Sequence, residues 1–200
     1  MKILSAEFVK SSAGGDWPGG GLPEIAVVGR SNVGKSSLLN ALLNRRALAK
    51  VSGTPGKTQL INFFRVETDD RAVGTFQIVD LPGYGYAKVA RSTRETWAPM
   101  IDRYLRERGE LKGIIFLIDS RGPQDSDVTT WDWLTQLEAP IIVVATKIDK
   151  LKRGERKAAL DTIHEALNLG KDDEILPCSS ETKEGIQELR GAMKSVLTAG

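Results

Sequence analysis

Hydrophobic positions along the chain fall into two kinds of run. Ile25–Val28, Leu60–Val66, Gly74–Val79, Ile114–Ile118, Ile141–Ala145 and Glu174–Leu176 are short stretches, several of them continuously apolar. Such runs predict strands covered on both faces. Between them the spacing becomes helical. Trp97, Met100, Ile101, Tyr104 and Leu105 recur at i, i+3, i+4, i+7 and i+8, and Pro99 within that run predicts a helix that starts or kinks there. Leu160, Ile163 and Leu167 form a second stripe, with Gly170 as its predicted stop. Ile186, Leu189, Met193, Val196 and Leu197 form a third. Trp131 continues a stripe from Val128, whereas Trp133 falls off it and is expected to be partly buried.

The link "ETDDRAV" between the second and third of these strands is too short for a crossover helix, so that pair is expected to be antiparallel. The other strands alternate with helices. This predicts an α/β fold in three layers: a mostly parallel six-stranded sheet with one antiparallel strand and helices on both faces. A chain of 200 residues suits one such domain. Its core is expected at 22–198, with residues 1–21 forming a short N-terminal strand and the glycine-rich loop "SSAGGDWPGGG". In sheets of this kind ligands bind beyond the carboxyl ends of the strands, so the loops there are where chemistry is sought.

Composition narrows the setting. Hydrophobic residues make up 40% and charged residues 27%, as in ordinary globular proteins. No apolar run approaches the ~20 residues that span a bilayer. "MKILSAEFVK" has too short an apolar core for a leader, and Glu7 interrupts it. The single cysteine, Cys178, excludes an internal disulfide and suits a reducing cytoplasm. A net charge of +2 implies no whole-molecule attraction to nucleic acid. From Ile25 to Val66, however, there are seven Lys/Arg and no acid, a local excess suited to polyanions.

The loop after the first core strand is "GRSNVGKS", Gly29, Arg30, Ser31, Asn32, Val33, Gly34, Lys35 and Ser36, with Ser37 next. It fits G-x-x-x-x-G-K-[ST]. The glycines let backbone N–H groups converge on phosphate oxygens, Lys35 places a cation on the β- and γ-phosphates, and the Ser36 hydroxyl can ligate Mg²⁺. The helix that starts there adds its positive dipole end. After the third strand come Asp80, Leu81, Pro82 and Gly83. An Asp at a strand end is placed to hold Mg²⁺, directly or through water, and Gly83 offers an N–H to a γ-phosphate.

"TKID" (Thr146, Lys147, Ile148, Asp149) follows the next-to-last strand. Guanine presents an N1–H beside a 2-amino group, and one carboxylate accepts from both. Adenine lacks that pair, which predicts that Asp149 selects guanine. Cys178, Ser179 and Ser180 follow the last strand, where N–H groups can meet the guanine 6-oxo oxygen; Ser180 or Thr182 can equally cap the final helix. Cys178 reads as a small wall residue. "SGTPGKTQ", with Gly56, Lys57, Gln59 and then Leu60, offers two threonines, Thr54 and Thr58, able to supply a hydroxyl to Mg²⁺.

Together "GRSNVGKSSLLN", "TPGKTQ", "DLPGYGYA" and "TKID" resemble the bacterial EngB family (also called YihA or YsxC), one of the TrmE-Era-EngA-EngB-septin-like P-loop GTPases. The resemblance covers nearly the whole chain. It implies a single P-loop NTPase G domain that binds GTP and GDP with Mg²⁺, hydrolyses GTP slowly, acts in assembly of the large ribosomal subunit with its rRNA, and is needed for normal division and septation. It selects Thr58 over Thr54 as the magnesium-binding threonine. It also implies that Asn32 helps bind a potassium ion, so that Lys35, Asn32, Thr58 and Gly83 carry the hydrolysis. Tyr84 stands where Ras-type GTPases carry a water-orienting glutamine.

Other residues carry less. His164 is expected at a helix edge. Arg45, Arg46, Lys50, Lys57, Lys88, Arg91 and Arg94 form one basic group, and Lys150, Lys152, Arg153, Arg156 and Lys157 another; each is a solvated surface or an RNA-facing one. The chain is expected to be monomeric. Two rival readings remain: an ATP-using P-loop enzyme, and an RNA-binding module that holds GTP only as a structural ligand.

Overall fold

A computed structural model describes residues 1–45, 48, 60–84 and 91–199, with backbone alone for 91–98. Seven strands build one sheet: β1 (Ile3–Ser12), β2 (Glu24–Gly29), β3 (Ile61–Thr68), β4 (Thr75–Asp80), β5 (Leu111–Asp119), β6 (Ile141–Thr146) and β7 (Ile175–Pro177). Their order is β1-β3-β4-β2-β5-β6-β7. The β3 strand runs antiparallel to both its neighbours, β1 and β4, and every other pairing is parallel. The expected single antiparallel strand is therefore present, but the sheet has seven strands rather than six. The N-terminal strand adds itself to the free edge of β3, where main-chain hydrogen bonds would otherwise go to water.

Five helices are seen among the described residues: α1 (Lys35–Leu42), α2 (Arg91–Glu107), α3 (Asp125–Leu134), α4 (Arg156–Ala166) and α5 (Ile186–Thr198). The continuous apolar runs have the predicted consequence. Along β2, Ile25 and Val27 pack with Leu39, Leu189 and Met193 on one face. Ala26 and Val28 pack with Met100, Tyr104 and Ile163 on the other. Two corrections concern helix punctuation. Pro99 lies inside α2, which begins at Arg91, so of the two expectations the start is excluded. The α4 helix stops at Ala166, with Leu167 as cap and Asn168 at φ 49°, so Asn168 rather than Gly170 takes the left-handed turn.

The N-terminal loop is anchored rather than a bare tether. Trp17 meets Tyr104 edge-on at 5.6 Å and lies under the Arg108 guanidinium at 5.8 Å. Arg108 clasps the fully buried Glu24 with bonds of 2.7 and 3.0 Å, and the Tyr104 hydroxyl donates to the same carboxylate at 2.8 Å. This cluster ties the C-terminal end of α2 to the start of β2. At the opposite end of the sheet, β2 lies between β4 and β5, and the chain crosses over it from β4 to β5. The loop after β2 thus opens at the point where the strand order reverses.

Candidate functional site

Residues 29–34 leave β2 and turn into α1. A Cβ on Gly29 would stand 2.9 Å from Val33 Cγ1 and 3.0 Å from Leu117 Cβ, so the turn needs glycine. Asn32 and Gly34 take left-handed angles, φ 64° and 102°. The Asn32 side chain is exposed at the mouth of the loop, and Val33 is fully buried beneath it. Ser36 and Ser37 are half-buried in the first turn of α1. Lys35 Nζ pairs directly with Asp80 Oδ1, and both side chains are largely buried.

The "TKID" segment is bolted to this loop. The Thr146 hydroxyl is shared between the carbonyls of Val33 (2.7 Å) and Ile118 (3.1 Å). Lys147, itself at φ 60°, runs past Gly34 and donates to the Asn32 carbonyl at 2.6 Å and to Asp119 at 3.0 Å. Asp149 follows in the short turn Ile148–Lys150, beneath which Ile148 is fully buried. Its Oδ1 accepts from the Ser179 hydroxyl at 2.6 Å, and Oδ2 lies 3.1 Å from Lys150 Nζ. Ser179, and after it Lys150, holds the Asp149 carboxyl below the usual carboxylate range. Ser179 accepts in turn from the N–H groups of Glu181 and Thr182 at 3.1 and 3.0 Å, which fixes its hydroxyl toward Asp149. Ser180 beside it is half-buried.

Cys178 is buried, and its thiol is pushed up to about 12 by burial and then by Glu188 and Glu184. The Ile148 N–H donates to its carbonyl at 3.2 Å, so it forms a wall of the turn that carries Asp149. Neither Ser180 nor Thr182 caps the last helix: Gly185, at φ 75°, does so without a side-chain bond.

The segment after β4 lies against the loop after β2. Leu81 and Pro82 are buried, and the Leu81 N–H donates to the Val27 carbonyl at 3.2 Å. Ser31 donates its N–H to the Tyr84 carbonyl at 2.9 Å and its hydroxyl to the Gly83 carbonyl at 3.4 Å. The Tyr84 hydroxyl is engaged elsewhere: it donates to Asp127 Oδ1 on α3 at 2.8 Å, while its ring stacks on Phe116 at 6.4 Å. Burial and the Asp127 charge push the Tyr84 phenol far above its ordinary value.

Two acids not anticipated from the sequence organise the surroundings. Asp119 is buried at the end of β5 and accepts from Arg121 Nε at 2.8 Å and Nη2 at 2.7 Å as well as from Lys147. Burial alone would raise its carboxyl, but these donors outweigh it and hold the group far below the usual range. Asp127 is wholly buried and caps the Gln124 N–H at 2.8 Å. Between the two acids lies Arg30, its Nε 3.4 Å from Asp127 and its Nη2 3.8 Å from Asp119. The Arg30 side chain, expected in the ligand loop, is thus committed to these carboxylates. The one sequence signal for Asp119 was its place at a strand end.

Residues 29–37, 80–83, 146–149 and 178–180 therefore converge from four loops at one end of the sheet. Thr54, Gly56, Lys57, Thr58 and Gln59 lie outside the described residues, as do Arg46, Lys50 and Lys88; Leu60 is exposed. No group of three or more His, Cys, Asp or Glu that could hold a metal occurs among the described residues. Asp80 and Ser36 still fit Mg²⁺, which is commonly held by one carboxylate or so with substrate phosphates and waters completing the shell. His164 is half-buried at the edge of α4, with Nε2 3.0 Å from the Gly170 carbonyl. Trp133 is partly buried and donates to Asp102 at 3.1 Å.

Comparison with known proteins places this arrangement. A family model described as 50S ribosome-binding GTPase matches residues 24–147. The "Probable GTP-binding protein EngB" of Pelotomaculum thermopropionicum is 49% identical over 191 residues, covering 94% of this chain and 93% of that one. A crystal structure of a probable GTP-binding protein engB shares the fold with TM-score 0.69 at 23% identity, over 87% of this chain and 98% of that one. A crystal structure of Era in complex with MgGDPNP and nucleotides 1506–1542 of 16S ribosomal RNA aligns with TM-score 0.69 at 28% identity, over 89% of this chain and 57% of that one. No helix among the described residues is long and apolar enough to cross a membrane. On this likeness, carried by the match to the relatives over nearly the full length of both chains, the chain belongs to the EngB family of GTP-binding proteins.

Proposed function

We propose that the chain binds GTP and GDP across these four loops, hydrolyses GTP slowly and acts as a cytoplasmic, monomeric switch in assembly of the large ribosomal subunit, with consequences for division and septation. The observation that carries the nucleotide reading is the Asp149 carboxylate. It is oriented by Ser179 at 2.6 Å and fixed relative to the phosphate loop by Thr146 and Lys147. The ring of guanine then lies against the Lys147 stem with its N1–H and 2-amino group on Asp149. Backbone N–H groups of residues 29–37 receive the phosphates. Lys35 exchanges Asp80 for the β- and γ-phosphates, which frees Asp80 and Ser36 for Mg²⁺. When bound, that ion neutralises charge on the β- and γ-phosphate oxygens.

In hydrolysis, water adds to the γ-phosphorus and the bond to the β–γ bridging oxygen breaks, leaving GDP and phosphate. Lys35, Gly83 and Thr58 position the γ-phosphate, and the exposed Asn32 would help hold a K⁺, which would offset charge developing on the phosphates. Tyr84 supplies no carboxamide to the attacking water and is tied to Asp127, which supports a low rate. Nucleotide state is read through residues 54–59 and 83–94. The exposed Lys152 and Arg153 suit an RNA phosphate backbone, and the structural likeness to Era, which was crystallised with ribosomal RNA, favours such a partner.

Competition of GTP, GDP, ATP and xanthosine diphosphate for a fluorescent guanine nucleotide tests the site, with K⁺ exchanged for Na⁺ in a parallel series. Asp149→Asn is expected to weaken GDP by about a hundredfold and to admit xanthosine diphosphate. ATP competing as well as GTP would overturn the reading. Equal association of the protein with large subunits in GDP and in a non-hydrolysable GTP analogue would remove the switch.

A further inference from the structure

The groups that should meet a γ-phosphate are engaged with one another. Gly83 is the residue whose N–H faces that phosphate in the proposed site. A Cβ built on Gly83 would lie 3.1 Å from Ser31 N, 3.2 Å from Ser31 Oγ and 3.3 Å from the Gly29 carbonyl. Ser31 spends its N–H on the Tyr84 carbonyl at 2.9 Å and its hydroxyl on the Gly83 carbonyl, and Arg30 and Tyr84 pair as a parallel bridge. Donors that grip a phosphoryl oxygen from two sides each need roughly 2.9 Å to it. Both Ser31 donors are spent on carbonyls of this segment, so neither reaches a γ-phosphoryl oxygen until the contact opens. A diphosphate, ending one phosphoryl group short, makes no such demand.

The side chain of Tyr84 is anchored on α3. Its hydroxyl donates to Asp127 Oδ1 at 2.8 Å, and Asp127 is wholly buried, capped onto Gln124 N–H and flanked by Arg30 Nε. The phenol is thus fixed on α3 while the Gly83 and Tyr84 carbonyls lie on Ser31.

We propose that Tyr84, seated by Asp127, sets the preference between guanosine diphosphate and triphosphate: its bond to α3 holds Gly83 against Ser31, and a γ-phosphate binds only by prising that contact open. Both residues act by position, without touching the nucleotide. This inference rests on the nucleotide reading of the four loops.

The test is the ratio of affinities for GDP and a non-hydrolysable GTP analogue, measured by competition on the full chain with Mg²⁺. Tyr84→Phe removes one hydroxyl. Its loss is expected to tighten the analogue about ten- to a hundredfold while GDP changes less than about twofold, the scale of one buried hydrogen bond to a charged group. Tyr104→Phe is the control. It deletes a phenol–carboxylate bond of the same 2.8 Å length, to Glu24 at the far end of the sheet, so it should lower the melting temperature comparably and leave the ratio unmoved. Should Tyr84→Phe fail to fold, Tyr84→Leu, which also lacks the hydroxyl, is read the same way. A ratio equal to wild type, or one that moves as much in Tyr104→Phe, overturns the inference and leaves the nucleotide site standing. Wild-type protein that binds neither nucleotide overturns both.

Discussion

Ser179→Ala removes a single oxygen and interrogates the base end of the site. That oxygen donates to Asp149 at 2.6 Å and accepts from two N–H groups at 3.1 and 3.0 Å. Glu181 and Thr182 are exposed, so their N–H groups can turn to water and contribute little to the cost. The bond to a carboxylate dominates, at about 1.5–3 kcal/mol. A loss of about 2 kcal/mol should lower the melting temperature by roughly 4–8 °C in a chain of this size. Asp149 stays charged but loses its fixed angle, and GDP affinity should fall about tenfold, equivalent to ~1.4 kcal/mol. Calorimetric titration and a thermal melt measure the two effects separately.

Acid adds a third reading. The folded carboxyl lies below its ordinary 3.8 because Ser179 stabilises the charged form. Its contribution is complete above that ordinary value and is lost as pH falls through the depressed one. In Ser179→Ala the loss of GDP binding should therefore begin at a higher pH. A variant that melts earlier yet binds GDP within twofold of wild type, with the same acid profile, would refute the claim that Ser179 aims Asp149.

Two further outcomes follow from the same loop. The Cys178 thiol, at about 12 in the fold against an ordinary 9.0, should resist maleimide below about pH 10 until denaturant is added. The stability that comes from keeping it neutral is whole below pH 9 and wanes as pH rises toward 12, which alkylation and denaturation series across that range would record. Gly185→Ala should cost about 3 kcal/mol in a urea titration, since φ 75° strains any side chain and the new Cβ would press on the Pro177 carbonyl and stand 2.8 Å from Cys178 Sγ; a cost below about 1 kcal/mol would contradict it.

Local chemistry was legible in the sequence, and distant pairing was not. Gly29, Gly34 and Lys35 advertise themselves because a phosphate cradle needs a fixed spacing along one strand–loop–helix unit. The continuous apolar runs of β2, β5 and β6 announce strands buried on both faces. Asp119 and Asp127 escaped notice because the partners that tie them to the site, Lys147, Arg30 and Tyr84, come from other segments. The ion pairs of the Arg30 guanidinium were hidden for the same reason, since nothing near it in sequence reveals the two acids it lies between. The pairing of β1 with the sheet edge, and the role of Trp17 under α2, depend on tertiary contacts that periodicity does not report.

The clasp of Glu24 by Arg108 and Tyr104 gives α2 a fulcrum. Seventeen residues of helix extend about 25 Å, with the C-terminal end pinned to the start of β2. A rocking of only ~10° about the pinned end would swing the far end by roughly 4 Å, and Pro99, which lacks one helical hydrogen bond, marks where the rod yields first.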